Sequence, residues 1–231
     1  MTDDAHTAPR GVGVVVVAAG SGARLGAQVP KAAVRLAGRT LLARAVERVL
    51  AVDGLSCLVL VVPAALAGPE HWDLGELPAH AAFVAGGAER TESVAAGLAA
   101  VGEDCDVVLV HDAARCLAPT EVFDRVVAAV RAGADGVVPG LPVVDTVKTV
   151  DADGFVTGTP ERTTLRAVQT PQGFRREVLI AAHAGGKVAT DDAALVERTG
   201  RRVLVVDGDP MAFKVTTRDD LERAERLVAG A

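Results

Sequence analysis

No tyrosine occurs anywhere in the chain, and tryptophan occurs once. The missing tyrosine excludes the chemistry of short-chain dehydrogenases, whose catalytic group is a tyrosine hydroxyl. Cysteine is scarce too: Cys57, Cys105 and Cys116 form an odd set with no CxxC pair. Neither a disulfide framework nor a zinc site is expected from them, and buried thiols in a reducing cytoplasm are the simplest reading. None of the five histidines stands in the paired i,i+4 arrangement of a metalloprotease helix. Basic charge is not in excess, because the net charge is -6. A general nucleic-acid surface is therefore not expected, and any phosphate must be met locally. Long hydrophobic runs are also lacking near the start. The apolar stretch 14–19 is too short to span a bilayer, and the acidic opening MTDDAHTAPR has no basic n-region for secretion.

What is present is aliphatic. Half of the 231 residues are hydrophobic, enough for one substantial core, so residues 1–231 are expected to form a single domain. Short apolar runs recur at 12–19, 56–62, 82–84, 107–110, 136–138 and 202–206. Between them, residues 41–51, 90–101, 119–132 and 191–198 place apolar side chains at i, i+3, i+4 spacing. This β-α-β-α rhythm predicts an α/β fold. Its near-continuous valine and leucine strands imply a mostly parallel sheet with helices on both faces. Residues 143–150, the turn DADG at 151–154 and residues 155–159 break the rhythm and read as a hairpin. It is too polar on both faces to be core, and it needs something to lean on, for which a second subunit is a fair choice.

The stretch VVVVAAGSGARLGAQVPK follows the first strand with Gly20, Gly22 and Gly26. Their GxGxxxG spacing matches neither the dinucleotide fingerprint nor the P-loop. Glycines here still let backbone N–H groups approach a polyphosphate. Arg24 lies inside the loop and Lys31 follows Pro30, so both can face one anion; the competing reading is two solvated side chains.

Three further segments stand out. In VLVHDAARC (108–116) a strand ends at His111 and Asp112, where ligands bind in open α/β sheets. Asp112 can hold a divalent cation or cap the next turn. In AGGAERTESVAAGL (85–98), Thr91 or Ser93 can cap a helix or bond a sugar or base. In FKVTTRDDLERAE (213–225), Lys214 sits in a strand-like run ahead of a helix capped by Thr217.

In order, AAGSGARLG, PK, GGAERTES, HDAAR, PVVDTVK, RAVQTPQGF, TDDA and KVT resemble the 2-C-methyl-D-erythritol 4-phosphate cytidylyltransferase family, over residues 14–227. That resemblance implies a Rossmann-like nucleotidyltransferase sheet with a protruding β-hairpin arm, at about 142–165, that clasps a second copy in a homodimer. It implies transfer of CMP from CTP to a sugar-alcohol phosphate with Mg²⁺, without nucleic-acid or membrane partners. Arg24, Lys31 and Lys214 are then catalytic. Ala18, Ala19, Gly20, Ser21, Gly22, Gly87, Arg90, Ser93, Asp112 and Ala113 bind CTP, with Asp112 beside the metal. Arg115, Thr146, Arg162 and Thr170 hold the acceptor, and Thr146 and Arg162 reach into the neighbouring subunit. Cys116 replaces the proline common after HDAAR, and Asp209 is a further carboxylate near Lys214.

The competing readings are ribitol-5-phosphate cytidylyltransferase and a non-catalytic nucleotide-binding protein on the same fold. HDAAR and TPQGF favour the methylerythritol enzyme over the first. Retention of Arg24, Lys31, Asp112 and Lys214 together weighs against the second. A nicotinamide-dependent oxidoreductase is disfavoured by the glycine spacing and the missing tyrosine.

Overall fold

The computed structural model describes residues 10–22, 25, 29–186 and 189–230. Strand β1 (Gly11–Val17) places Val12, Val14 and Val16 on one face of the sheet and Val15 on the other, all fully buried. A strand apolar on both faces belongs in the centre of a sheet. It runs parallel to β4 (Leu55–Val62) on one side and to β6 (Cys105–Asp112) on the other. Beyond β4 lies β5 (Ala81–Ala85), also parallel. Beyond β6 comes β11 (Gln172–Arg175), antiparallel to it, then β7 (Gly136–Pro142) and β12 (Val203–Asp207), which are parallel to each other. β10 (Arg166–Val168) pairs with residues 140–142 of β7 while β11 pairs with 136–137, so the two lie end to end along one edge of that strand.

The alternation along the strands divides the core in two. On one face, Val14, Leu60 and Leu109 pack with α1 (Leu41–Val49), α3 (Thr120–Arg131) and α6 (Arg218–Ala229), through residues such as Val46, Phe123 and Ala224. On the other, Val15, Val61 and Val108 meet α2 (Arg90–Leu98), α4 (Arg176–His183) and α5 (Asp192–Glu197), through Val94, Leu179 and Val196. The expected α/β sheet with helices on both faces is thus the observed one. A small ribbon of β2 (Arg35–Leu36) and β3 (Arg39–Thr40) precedes α1, whose start is capped by the Thr40 hydroxyl accepting from Ala43 N–H at 3.0 Å. No helix among the described residues is long and apolar enough to cross a membrane.

Two expectations need correction, and three elements were not foreseen. The hairpin pairs only as β8 (Thr149–Val150) and β9 (Val156–Gly158); residues 143–148 form no ladder because no neighbouring strand is there to accept one. The run around Lys214 is irregular rather than strand-like, and its Val215 N–H bonds Ala114 C=O at 2.8 Å. β10, β11 and α4 carry no period that the sequence pattern distinguished. The Thr217 cap is present, its hydroxyl accepting from Asp220 N–H while Asp220 accepts from Thr217 N–H.

Gly97 marks how closely α2 approaches the sheet. A Cβ there would lie 2.6 Å from a methyl of Val15 and 2.7 Å from one of Val61, both buried β-branched side chains with little rotamer freedom. Helix propensity alone favours alanine over glycine by about 1 kcal/mol, whereas overpacking costs about 1–3 kcal/mol. The clash is expected to win, so Gly97→Ala should lower the urea midpoint; a raised midpoint would show that α2 has room to spare.

Candidate active site

The chain runs outward from β1 to β4 and β5, then returns to the other side of β1 as β6. The carboxyl ends of the strands at such a reversal leave a crevice, and here it is a cavity of about 320 Å³. Ala18, Ala19, Gly20, Ser21 and Gly22 continue β1 along one wall. The loop folds back so that Lys31 N–H donates to Gly20 C=O at 3.1 Å, which brings Lys31 to the same cavity. Gly22 permits this closure: its φ is +74°, and a Cβ would stand 3.0 Å from Lys31 N. Arg24 and Gly26 lie outside the described residues.

The loop after β5 contributes Gly87, and the start of α2 contributes Arg90 and Ser93. Ser93 is buried and its hydroxyl accepts from Gly87 N–H at 3.1 Å, fixing the turn. Neither Thr91 nor Ser93 caps α2. The cap is Glu89, in a reciprocal box with Glu92, whose carboxylate accepts from the N–H groups of Ala88 and Glu89. The end of β6 supplies Asp112 and Ala113, and the run before α6 supplies Lys214 and Thr216. Ala32, Glu89 and Thr216 also line the cavity; nothing in their residue types distinguishes them in the sequence.

Charge is organised around Asp112. Its Oδ2 lies 2.7 Å from Lys214 Nζ, and its Oδ1 lies 3.4 Å from Arg90 Nε. Burial pushes this carboxyl upward, but Arg90 and Lys214 outweigh burial and hold it well below the usual carboxylate range. It makes no hydrogen bond to the following turn, Ala113–Arg115, so the capping role is not the one it plays. Burial would lower the Arg90 pKa, yet Asp192 and Asp112 together raise it above its ordinary value. Asp192 and its neighbour His183 were not anticipated as site residues, although TDDA was a recognisable motif.

The remaining sequence-derived positions fall into two groups. Thr170 is buried beside Asp112 rather than on the cavity wall: its hydroxyl accepts from Asp112 N–H at 3.0 Å and contacts His111 Nδ1 at 3.2 Å. Arg115 donates to Ala212 C=O and Val168 C=O, and its buried Nε has no partner among the described residues. Thr146 and Arg162 are exposed on the arm and do not line the cavity of their own chain; Arg162 donates to Val144 C=O. Asp209 accepts from Met211 N–H at 2.7 Å as the cap of the turn Pro210–Ala212 and is not part of the cavity wall. Cys116 is buried, and burial pushes its thiol up to about 12, so it is an inert packing residue.

His111 is fully buried against Phe123, and burial lowers its pKa to about 4. Between that value and an ordinary 6.5 the unfolded chain binds more protons than the folded one. Stability should therefore fall as pH drops from 6.5 towards 4, by up to about 3 kcal/mol. The lowered Asp112 acts in the same direction but only below the ordinary carboxylate pKa. Urea unfolding across this range should show the slope, and His111→Asn should flatten it between pH 6.5 and 4; an unchanged slope would assign the loss to other groups.

Residues 12–229 match the family described as 2-C-methyl-D-erythritol 4-phosphate cytidylyltransferase. A relative of that name from Rhodococcus opacus is 54% identical over 215 residues, covering 93% of each chain. The enzyme of that name from Thermus thermophilus superposes with a TM-score of 0.75 at 35% identity, over 95% of this chain and 99% of that one. The 4-diphosphocytidyl-2C-methyl-D-erythritol synthase of Anaerococcus prevotii gives a TM-score of 0.84 at 28% identity, over 95% and 96%. A glycine-lined cavity at the sheet reversal, with Lys31 on its wall and Lys214 and Arg90 paired to Asp112, thus sits in a chain that belongs to the 2-C-methyl-D-erythritol 4-phosphate cytidylyltransferase family.

Proposed function

We propose that this chain transfers CMP from CTP to 2-C-methyl-D-erythritol 4-phosphate, giving 4-diphosphocytidyl-2-C-methyl-D-erythritol and pyrophosphate. The observation that carries the reading is the convergence of Lys31, Lys214 and Arg90 on one cavity, with Asp112 among them. A phosphate monoester has its second pKa near 6, so the attacking oxygen is already largely ionised at neutral pH and needs no general base. That oxygen forms a bond to the α-phosphorus of CTP, and the bond to the bridging oxygen breaks with its electron pair leaving on pyrophosphate. The barrier comes from bringing two polyanions together while charge gathers on the α-phosphoryl oxygens. Positive groups held ready in the cavity, Lys31 and Lys214, lower it, and the catalytic role proposed for Arg24 rests on the sequence of the glycine loop. The Ala18–Gly20 wall, Gly87 and Ser93 take the cytosine and ribose; Arg115 is assigned to the acceptor, and Thr170 supports that side of the site from behind Asp112.

The donor set suits Mg²⁺. Among the described residues no three His, Cys, Asp or Glu side chains come together as a cage. A hard ion of this kind commonly uses one or two carboxylates and takes its other oxygens from substrate phosphates and water. Asp112, ionised and open to the cavity, is the carboxylate to hold it, and the bound ion would neutralise phosphate charge and orient the chain of phosphates.

The whole chain is read as one catalytic unit from which residues 142–165 project as a dimerisation arm. β8 and β9 pair only with each other among the described residues, and the arm exposes Val144, Val150, Phe155 and Val156. An isolated hairpin is marginal in water, and apolar side chains at 73% exposure for Phe155 support cover by a second copy. Thr146 and Arg162 then enter the neighbouring copy's site. The free thiols of Cys57, Cys105 and Cys116 support a reducing, cytoplasmic setting.

Pyrophosphate release with Mg²⁺ should occur with CTP and methylerythritol phosphate, and not with UTP, ATP, GTP or ribitol 5-phosphate. Lys31→Ala should slow it about 10²-fold, about 3 kcal/mol of transition-state stabilisation; silence with every substrate pair would overturn the reading. Sedimentation should find twice the mass of one chain, falling to one with Val150→Ser/Phe155→Ser; a variant that remains dimeric would remove the arm from the interface.

A further inference from the structure

Two buried ionisable groups stand behind the cavity with no part in the reaction described above. They are His183, the last residue of α4, and Asp192, the first of α5. The Asp192 side chain is 1% exposed. A carboxylate this deeply buried is costly unless both oxygens are met. Its Oδ2 accepts from Arg90 Nη1 at 2.8 Å, and its Oδ1 lies 3.0 Å from His183 Nε2. Because the carboxylate can only accept, His183 carries its proton on Nε2.

The backbone around Asp192 is held from both sides. On one flank, Gln172 of β11 donates to Asp191 Oδ2 at 2.9 Å and accepts from Ala193 N–H at 3.1 Å. On the other, the Thr91 hydroxyl donates to Ala189 C=O at 3.4 Å. The carboxylate therefore occupies a fixed place relative to α2, where Arg90 is the first residue. Arg90 is itself divided: Nη1 is on Asp192 and Nε is on Asp112, while Nη2 is committed to neither carboxylate. The bond to Asp192 is shorter by 0.6 Å than the one to Asp112, from 2.8 and 3.4 Å. Asp112 is also the carboxylate that Lys214 holds and that a bound nucleotide would disturb. A guanidinium anchored only there would move with it.

We propose that Asp192, backed by His183, is a positioning residue that pins Arg90 to the cavity wall, so that its guanidinium meets the bound nucleotide from a fixed place when Asp112 changes partners. The proposal rests on CTP being the nucleotide. Without Asp192, Arg90 has Asp112 as its remaining carboxylate and is drawn onto it. The cavity then loses a cation, and the carboxylate meant for the nucleotide's side is tied up.

The test is calorimetric titration of CTP with magnesium into the full-length wild type and into D192N, R90A, R90A/D192N, H183A and H183Q, with steady-state kinetics and thermal melting alongside. D192N should bind CTP about tenfold more weakly, within the range of coupling between residues of one network, and its KM for CTP should rise more than its kcat falls. R90A/D192N should bind no more weakly than R90A, because Asp192 acts through Arg90. H183Q, which keeps a donor towards Asp192, should lie nearer wild type than H183A. Wild-type affinity in D192N, or losses from R90A and D192N that add, would overturn the proposal, as would a lowered melting temperature with unchanged CTP affinity. Should D192N not fold, H183A and R90A/H183A provide the same cycle. Absence of CTP binding by the wild type would bring down the CTP reading and this proposal together, whereas binding unaffected by D192N would bring down this one alone.

Discussion

The carboxylate of Asp112 is the point at which the charge of the site and the geometry of the sheet meet. On the function proposed for this cavity it receives a triphosphate and needs cations, yet cations crowded together without a counter-charge repel one another and lose hydration. Asp112 lies between Lys214 and Arg90 and balances both, and Asp192 extends the alternation inward. Sign alternates along this chain of groups from the run ahead of α6, through β6 and α2, to α5. The ordering of Lys214 and Arg90 is thereby achieved when the protein folds rather than when the nucleotide arrives, which is how fixed charge lowers a barrier without reorganising during the reaction.

The position of Asp112 depends in turn on an antiparallel strand beside β6. β11 lies against β6, and the Thr170 hydroxyl just ahead of it reaches the N–H of Asp112 and the ring of His111. In a sheet of uniform direction, the neighbour of β6 would not carry the chain past that strand end in this way. β11 also carries Gln172, which ties down the start of α5. One short strand therefore buttresses both carboxylates around Arg90.

The strands that make the centre of the sheet were legible because burial on both faces demands unbroken apolar runs: GVGVVVV for β1 and LVLVV within β4 declare themselves. β11 reads QGFR, and its conformation is imposed by ladders from β6 and β7 rather than by any period of its own. The same reasoning explains the arm. Alternation over 143–150 resembles a strand, but a strand needs a partner, and only 149–150 finds one. At the start of α2, Thr91 and Ser93 have the chemistry of caps, yet the reach of Glu92 and the packing of Ser93 against Gly87 reassign those roles.

The residue types at the site, with their order along the chain, were set by the sequence alone. Glycines able to turn tightly after a buried strand, a lysine following the loop, an aspartate ending β6 and a lysine ahead of a capped helix define a phosphate-handling chemistry. Such motifs are local: each depends on neighbours within a dozen positions. Which of those groups touch, and which buried partners hold them, was decided by tertiary structure. Asp112 and Lys214 are brought together by the return of the chain after β12, and Arg90 and Asp192 by the placement of α2 and α5 on the same face of the sheet. Contacts between positions about a hundred residues apart have no period and no local spacing, so only the folded sheet can express them.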